Sequence, residues 1–171
     1  MKRFLAWGLG LILVAALGVG FLLVRATRQH DPAYLMSCME VEKPLMAWVC
    51  EQVFYRDEFS KEDIAELNQS AGARLVTVLT GPERADHALD RLIAAGLEID
   101  ARDTRLNHMT ALHAAAIEGN TDQIKRLLAH GADRSIKDDT GRTPVDYARE
   151  IQAKASDQSA WHEVISLLAV Q

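Results

Sequence analysis

Aromatic residues are scarce in this sequence, and basic residues are scarce after its first thirty positions. Aromatic side chains make up 6% of the 171 residues, too few for the stacking platforms that bind single-stranded nucleic acid. Residues 31–171 contain 15 basic and 24 acidic residues, a net charge of −9, whereas residues 1–30 contain four basic residues and no acidic one. Binding to nucleic acid without sequence preference needs clustered lysine and arginine. The composition therefore removes nucleic acid from the expected partners.

Catalytic motifs are also missing. The sequence has no G-x-S-x-G, no P-loop, no G-x-G-x-x-G and no H-E-x-x-H, because His162 and Glu163 are not followed by a second histidine. The six histidines are scattered singly, and Asp138 and Asp139 fit a solvated turn better than a metal site or an acid–base pair. We therefore expect no enzyme activity, cofactor, metal site or small-molecule substrate, with an enzyme of unknown class as a remote alternative.

One long apolar run lies near the start of the chain. Phe4–Val24 contains no charged residue. A helix formed by this run would be about 30 Å long, which matches the hydrocarbon thickness of a bilayer. The run predicts a single transmembrane signal anchor within residues 1–28. The alternative is a cleaved signal peptide, since Gly18-Val19-Gly20 offers small residues, but the apolar run continues beyond them. Basic residues flank both ends, so the positive-inside rule favours a cytoplasmic amino terminus only slightly.

Cysteine occurs only at Cys38 and Cys50, shortly after the apolar run. Their spacing does not fit a metal site. An even pair of cysteines is expected to oxidise on the exported side of a membrane and to stay reduced in the cytosol. We expect a disulfide between Cys38 and Cys50 in a single-pass protein of the inner membrane whose body is periplasmic. A soluble exported protein and a body that faces the cytoplasm are the alternatives.

The rest of the chain contains an internal repeat. Met109-Thr-Ala-Leu-His113 and Arg142-Thr-Pro-Val-Asp146 are similar phrases that align on their threonines. Apolar pairs precede glycine in both Leu127-Leu-Ala-His-Gly131 and Leu92-Ile-Ala-Ala-Gly96. Together with Thr110-Ala-Leu-His-Ala-Ala-Ala116, these residues resemble the ankyrin repeat, and the spacing of the two threonines equals its period of about 33 residues. The resemblance implies an all-α fold, a short solenoid of stacked helix–turn–helix units.

The residue types at the helix ends agree with this interpretation. Thr110 and Thr143 can cap the first amides of a helix. Gly119 and Gly131 can end helices, because glycine enters the left-handed region without strain. For His113 the resemblance implies a structural hydrogen-bonding role rather than that of a catalytic base.

The predicted organisation has four parts. These are an anchor at 1–28, a linker at 29–43, a helical N-terminal cap at 44–72, and about three repeats at 73–171, which match best over 104–136. In the cap, a helix over 44–55 is expected to bury one face, and a capping-box-like pattern begins a second helix near Ser60 and Asp63. Two positions depart from the repeat. His108 stands in the place of Gly141, which predicts a distorted turn, and Arg105 stands in the place of Asp138, which removes an acidic turn residue.

Solenoids of this kind bind partners with the face formed by the turn tips and first helices. The register of the repeat places two groups there: Leu106, Asn107, Met109, Ile117 and Glu118 from one repeat, and Asp139, Thr140, Arg142 and Glu150 from the next. Apolar residues at exposed positions mark a candidate protein contact. The alternative is that a shortened neighbouring repeat buries them.

Two functional hypotheses follow from the sequence. The first is a membrane-tethered adaptor or scaffold that binds a partner protein. The second is an immunity protein or inhibitor that neutralises a toxin or an enzyme. The acidic body suits a basic partner in both cases.

Overall fold

The computed structural model describes residues 31–41, 43–56, 58–70, 72–79 and 81–169. The predicted transmembrane segment at residues 1–28 lies outside these residues. Within the described part of the chain, no helix is both long enough and apolar enough to cross a membrane. The chain divides after Glu58 into two compact units, which we call the N-terminal hairpin and the repeat domain.

In its described residues, the N-terminal hairpin has two helices that pack on each other, α1 (Pro32–Val41) and α2 (Pro44–Arg56). The side chain of Asp31 accepts a hydrogen bond of 2.6 Å from the Tyr34 amide at the start of α1. The expected linker over 29–43 therefore contains a helix instead, because four apolar side chains of α1 are buried; these are Leu35, Met36, Cys38 and Met39.

The predicted disulfide is present in this hairpin. Cys38 on α1 and Cys50 on α2 are both buried and are bonded to each other, with 6.1 Å between their Cα atoms. By the loop-entropy argument, such a short closure stabilises the hairpin by about 2–3 kcal/mol.

The single apolar face expected for α2 is divided in the structure. Val49, Cys50 and Val53 are buried, together with Phe54, but Leu45 and Trp48 are exposed. At about 100° per residue, the mean direction of Leu45 and Trp48 lies roughly 140° from the mean direction of the four buried residues, although Leu45 borders Val49. Helix α2 thus carries apolar residues on two sides.

The repeat domain is built from helices and one short hairpin. Its elements are α3 (Lys61–Gln69), a 3₁₀ helix (Gly72–Val78), α4 (Pro82–Ala94), β1 (Arg102–Asp103), β2 (Met109–Thr110), α5 (Ala111–Glu118), α6 (Thr121–Ala129), α7 (Pro144–Lys154) and α8 (Ala160–Leu168). The 3₁₀ helix and α4 form repeat 1, α5 and α6 form repeat 2, and α7 and α8 form repeat 3. The expected cap at 44–72 is not one element, because α2 belongs to the N-terminal hairpin and α3 packs on repeat 1 and β1.

The helix ends follow the sequence signals. Capping boxes begin α3 at Ser60, α5 at Thr110 and α7 at Thr143. Gly119 ends α5 with a φ of 66°, and Gly131 follows α6 with a φ of 88°. These left-handed conformations are strained for residues with a Cβ, which explains glycine at both positions.

The core of the repeat domain lies between the stacked helices. Helix α5 contacts α6 and α7, and α8 contacts α6 and α7. The fully buried residues come from every repeat; they include Leu89, Leu92, Leu112, Ala115, Ala116, Ile124, Leu127, Ala148, Val164 and Leu168. Because consecutive repeats share this core, the stack positions each turn relative to the next helix pair.

Candidate functional site

The turns that precede α5 and α7 have different lengths. Asp138 donates its amide hydrogen to the Arg142 carbonyl at 2.9 Å, which leaves a three-residue turn before Thr143. In repeat 2, Asp103 pairs with Met109 across the β1–β2 hairpin, which leaves the five residues 104–108. The turn of repeat 2 is therefore two residues longer than a strictly constant repeat length predicts.

This difference corrects the prediction that repeat 2 lacks an acidic turn residue. Asp103, not Arg105, occupies the structural place of Asp138. Asp103 is buried, and its Oδ1 accepts a hydrogen bond of 2.9 Å from the Arg105 amide. In the same way, Oδ1 of Asp138 accepts a hydrogen bond of 2.9 Å from the amide two residues later, that of Thr140.

The longer turn has an unusual backbone at its tip. Asn107 and His108 have φ angles of 51° and 53°, in the left-handed region that residues with a side chain rarely adopt. The next turn holds them in place, since Nδ1 of His108 lies 2.7 Å from Oδ2 of Asp139, and the Asp139 amide donates to the Asn107 carbonyl at 3.0 Å. The turn is distorted at His108, as the sequence predicted, and its tip carries Leu106.

An apolar groove of about 300 Å³ lies between this turn and α5. Leu106 and Met109 line it from the turn, and Ala114 and Ile117 line it from α5; its other lining residues are Arg74, Asp103, Asn107, Thr110 and Glu118. Leu106 is 51% exposed and Ile117 is 37% exposed, whereas Met109 is half-buried. The neighbouring repeats therefore do not bury Leu106 and Ile117.

The groove exists because Ala114 is small. Tyr147 stands one full repeat after Ala114, at the same place in repeat 3, and its hydroxyl donates to Oδ2 of Asp138 at 2.5 Å. In repeat 2 no aromatic ring fills the corresponding space beside Asp103, and this space forms the groove. Glu150 stands one full repeat after Ile117, so the apolar lining does not continue into repeat 3.

Two of the lining residues form an ion pair at the edge of the groove. Nη2 of Arg74 lies 2.5 Å from Oε1 of Glu118, and both side chains are partly exposed. Exposed pairs of this kind contribute little to stability. The sequence did not reveal Arg74, because it lies on the 3₁₀ helix, where repeat 1 departs from the repeat pattern. The contrast between Ala114 and Tyr147, in comparison, is visible in the sequence.

The nine predicted contact residues separate into two groups in the structure. Five line the groove: Leu106, Asn107, Met109, Ile117 and Glu118. Of the other four, Asp139 faces His108, and the remaining three form a polar cluster around Arg142. Nε of Arg142 donates to Oγ1 of Thr140 at 2.9 Å, and its Nη1 donates to Oε2 of Glu150 at 3.0 Å.

Beneath these turns lies a buried polar network around His113. Its Nδ1 accepts a hydrogen bond from the Thr110 amide at 3.2 Å, which places the ring hydrogen on Nε2, 3.1 Å from the Arg142 carbonyl oxygen that it donates to. Burial lowers the pKa of His113, and the bond to the Arg142 carbonyl raises it by a smaller amount. The neutral ring thus joins the turns of repeats 2 and 3, which is the structural role implied by the resemblance.

We expect acid to weaken the repeat domain through His113. Below the ordinary histidine pKa of 6.5 the unfolded chain binds a proton that the folded chain resists, so the free energy of unfolding falls. The melting temperature of the wild type should decrease between about pH 7.5 and about pH 5.5. The melting temperature of His113→Gln should decrease less over the same range, because glutamine does not titrate. Equal decreases in the two proteins would contradict this prediction.

A second and larger hollow of about 750 Å³ lies beside α4 and α6. Its charged groups are largely paired with one another: Arg126 with Asp86 at 2.5 Å, and His130 with Asp90 at 3.0 Å. In the described part of the chain, no group of three histidine, cysteine, aspartate or glutamate side chains is placed to hold a metal ion.

The sequence model for ankyrin repeats (many copies) matches residues 92–148, from the last turn of α4 to the middle of α7. Residues 92–148 are ankyrin repeats. The predicted family is thereby confirmed for the part of the chain that contains the buried histidine network and all the lining residues of the groove except Arg74.

Similar stretches occur in larger proteins. The chain is 36% identical over 77 residues to the mitochondrial disaggregase of Rattus norvegicus, 51% identical over 41 residues to the human ARF GTPase-activating protein GIT1, and 44% identical over 54 residues to the neurogenic locus Notch protein of Drosophila melanogaster. These stretches cover 42%, 24% and 32% of this chain. They cover only 11%, 5% and 2% of the relatives, so this chain spans a small part of the length of each of these proteins.

Ankyrin repeats indicate a module for protein–protein interaction, typically without enzymatic activity of its own. In this chain the exposed apolar groove of repeat 2 lies on the face where the turns and the first helices meet, which is the face that such solenoids present to partners.

Proposed function

We propose that this protein is a membrane-tethered interaction module whose ankyrin repeats bind a partner protein through the groove of repeat 2. The observation that carries the proposal is the exposure of Leu106 and Ile117 on opposite sides of one apolar groove. Exposed apolar side chains around a concave site are typical of protein contacts.

The groove is suited to a large apolar side chain of the partner. Its walls are the aliphatic side chains of Leu106, Met109 and Ile117, and polar groups lie at its rim. In protein interfaces, a few buried apolar or aromatic anchors surrounded by a polar rim contribute most of the binding free energy. The Arg74–Glu118 pair provides part of such a rim.

The charge of the chain favours a basic partner. Residues 31–171 carry a net charge of −9, which attracts a positively charged protein and increases its association rate at low salt. Arg74 and Glu118 at the groove are already paired with each other, so we expect charge to affect the association rate more than the lifetime of the complex.

The tether is inferred from the sequence. Phe4–Val24 has the length and composition of a membrane-spanning helix. The disulfide between Cys38 and Cys50 supports an exported location for the body, because oxidising compartments preserve such bonds. The inner membrane with a periplasmic body is the arrangement that we propose.

Two groove variants test the partner site. Leu106→Asp combined with Ile117→Asp places charges on both walls, and Ala114→Tyr fills the groove with the side chain that repeat 3 carries at the same place. We expect both to weaken binding by about tenfold or more, since each removes the anchor pocket. The wild-type chain first captures a partner from an envelope extract. The measurement is the Kd of that purified partner for each purified full-length variant in detergent.

Leu45→Asp provides the control for added charge, because it places one of the two negative charges of the double variant at an exposed leucine outside the repeat domain. The control should bind the partner with the affinity of the wild type. The melting temperatures of all variants should lie within a few degrees of the wild-type value, because surface substitutions change stability little. Unchanged affinity in both folded groove variants would refute the proposed site.

A further inference from the structure

The second apolar surface of the molecule lies on α2. Among the described residues, the most exposed large apolar side chains are Leu45 at 70% and Trp48 at 57%. They are three positions apart, so they lie on the same side of the helix, and the opposite side of α2 is buried against α1. A helix that is apolar on both sides is normally covered on both sides.

We infer that this outer face of α2, formed by Leu45 and Trp48, docks on the surface of the bilayer next to the membrane anchor. The inference rests on the proposed anchor at Phe4–Val24. The face would enter the headgroup region of zwitterionic lipid, with Trp48 as the interfacial residue.

Chain length supports this occupant. Only seven residues, 25–31, separate the apolar run from the first residue of α1. At no more than about 3.6 Å per residue, they reach at most about 25 Å. The N-terminal hairpin must therefore stay within roughly its own length of the membrane surface, whatever partner the repeat domain binds.

Side-chain chemistry supports the same occupant. Tryptophan has an apolar ring and a polar N–H group, and it concentrates at the boundary between hydrocarbon and water. Leu45 adds an aliphatic group on the same face of the helix. A shallow contact that buries these two side chains needs no basic residues, because its free energy comes from apolar burial.

The charge of the hairpin determines which lipid it fits. Residues 31–58 contain six acidic and two basic residues, a net charge of −4. Anionic headgroups would repel this unit, so the contact is with neutral, zwitterionic lipid and should weaken when anionic lipid is added. Membrane contacts made through basic patches have the opposite dependence, because anionic lipid strengthens them.

The test uses the full chain reconstituted in phosphatidylcholine vesicles, with or without bromine atoms on the upper acyl chain. Subtracting the fluorescence of Trp48→Phe from that of the wild type isolates Trp48 from the other two tryptophans. We expect brominated lipid to reduce this difference signal about twofold or more, and Leu45→Gln to restore much of it. Leu106→Gln, an equal change at an exposed leucine of the repeat domain, should leave the signal unchanged.

Resistance to extraction by alkaline carbonate reports on the anchor separately. A chain that resists extraction while Trp48 remains unquenched and open to aqueous acrylamide would overturn the docking and leave the anchor standing. An extracted chain would overturn both. Protection of Trp48 that rises with protein density in the vesicles would assign the face to a second copy of the chain, and quenching that rises with anionic lipid would overturn the apolar mode of contact.

Discussion

Leu127→Ala should destabilise the repeat domain by about 2–5 kcal/mol, because it removes a fully buried side chain from the shared core. Helix α6 contacts both α5 and α8, so a cavity there affects repeats 2 and 3 together. Since single domains are stable by only about 5–15 kcal/mol, the loss is a large part of the total. We expect the melting temperature to fall by about 8 °C or more.

Leu128→Ala is the matched control for this prediction. Leu128 is the next residue on α6, and its replacement by alanine removes the same atoms. The side chain of Leu128 is only partly buried, however. Its effect should be less than half that of Leu127→Ala, since the cost depends on the cavity that remains. Similar melting temperatures for the two variants, measured by circular dichroism, would contradict the stacked core.

Asp138→Ala should be the next most damaging substitution, at about 3 kcal/mol. Asp138 is buried, and it accepts hydrogen bonds from the Thr140 amide and hydroxyl, the Arg142 amide and the Tyr147 hydroxyl. Burial by itself would raise the pKa of this carboxyl, but these hydrogen bonds hold the pKa well below its usual range. Alanine would leave the buried donors without an acceptor.

Asp139→Ala, the neighbouring exposed aspartate, should cost less than about 1 kcal/mol, because its contact with His108 is solvent-exposed. The pH dependence gives a second test. A carboxyl with a lowered pKa stabilises the fold above its unfolded value of 3.8, and this stability is lost as the pH falls below that value. The difference in the free energy of unfolding between wild type and Asp138→Ala should therefore shrink below about pH 4. If urea titrations give the same difference in the free energy of unfolding above and below about pH 4, the ionised carboxyl of Asp138 does not stabilise the fold.

Buried Asp138 and buried His113 explain how the turn before repeat 3 is held in one conformation. Asp138 fixes a three-residue turn, and His113 then joins α5 to the carbonyl of Arg142 at the end of that turn. Asp146 replaces the histidine in repeat 3, where its Oδ2 accepts from the amide and hydroxyl of Thr143 at 2.8 and 2.7 Å. The equivalent helix starts of repeats 2 and 3 are thus capped by different side chains, His113 in repeat 2 and Asp146 in repeat 3.

Much of the repeat domain could be predicted from local signals. Thr110 and Thr143 begin helices, and Gly119 and Gly131 follow the helices of repeat 2. Leu112 and Leu127 within these helices are buried, as their spacing indicates. These features depend on the chemistry of one residue or one turn, so they are readable without a structure. The disulfide was predictable for a similar reason, since only two cysteines exist to be paired.

The shape of the groove was not predictable from the period alone. Aligning the turns at exactly constant spacing assigned Arg105 the place that Asp103 takes, because the register slips where the backbone of Asn107 and His108 turns left-handed. The alignment also missed Arg74, since the 3₁₀ helix of repeat 1 has no counterpart in the repeat pattern.

The sequence by itself determined which segments of the repeat domain are helices, where they end, and which side chains face inward, because these depend on short-range capping and on helical spacing. Only the tertiary structure decided that residues 32–41 form a helix rather than a linker, that Leu45 and Trp48 face outward, and that Leu106 lies opposite Ile117 across a groove. Each of these outcomes depends on packing between residues that are distant in the chain or on the length of a turn, and local preferences do not encode either.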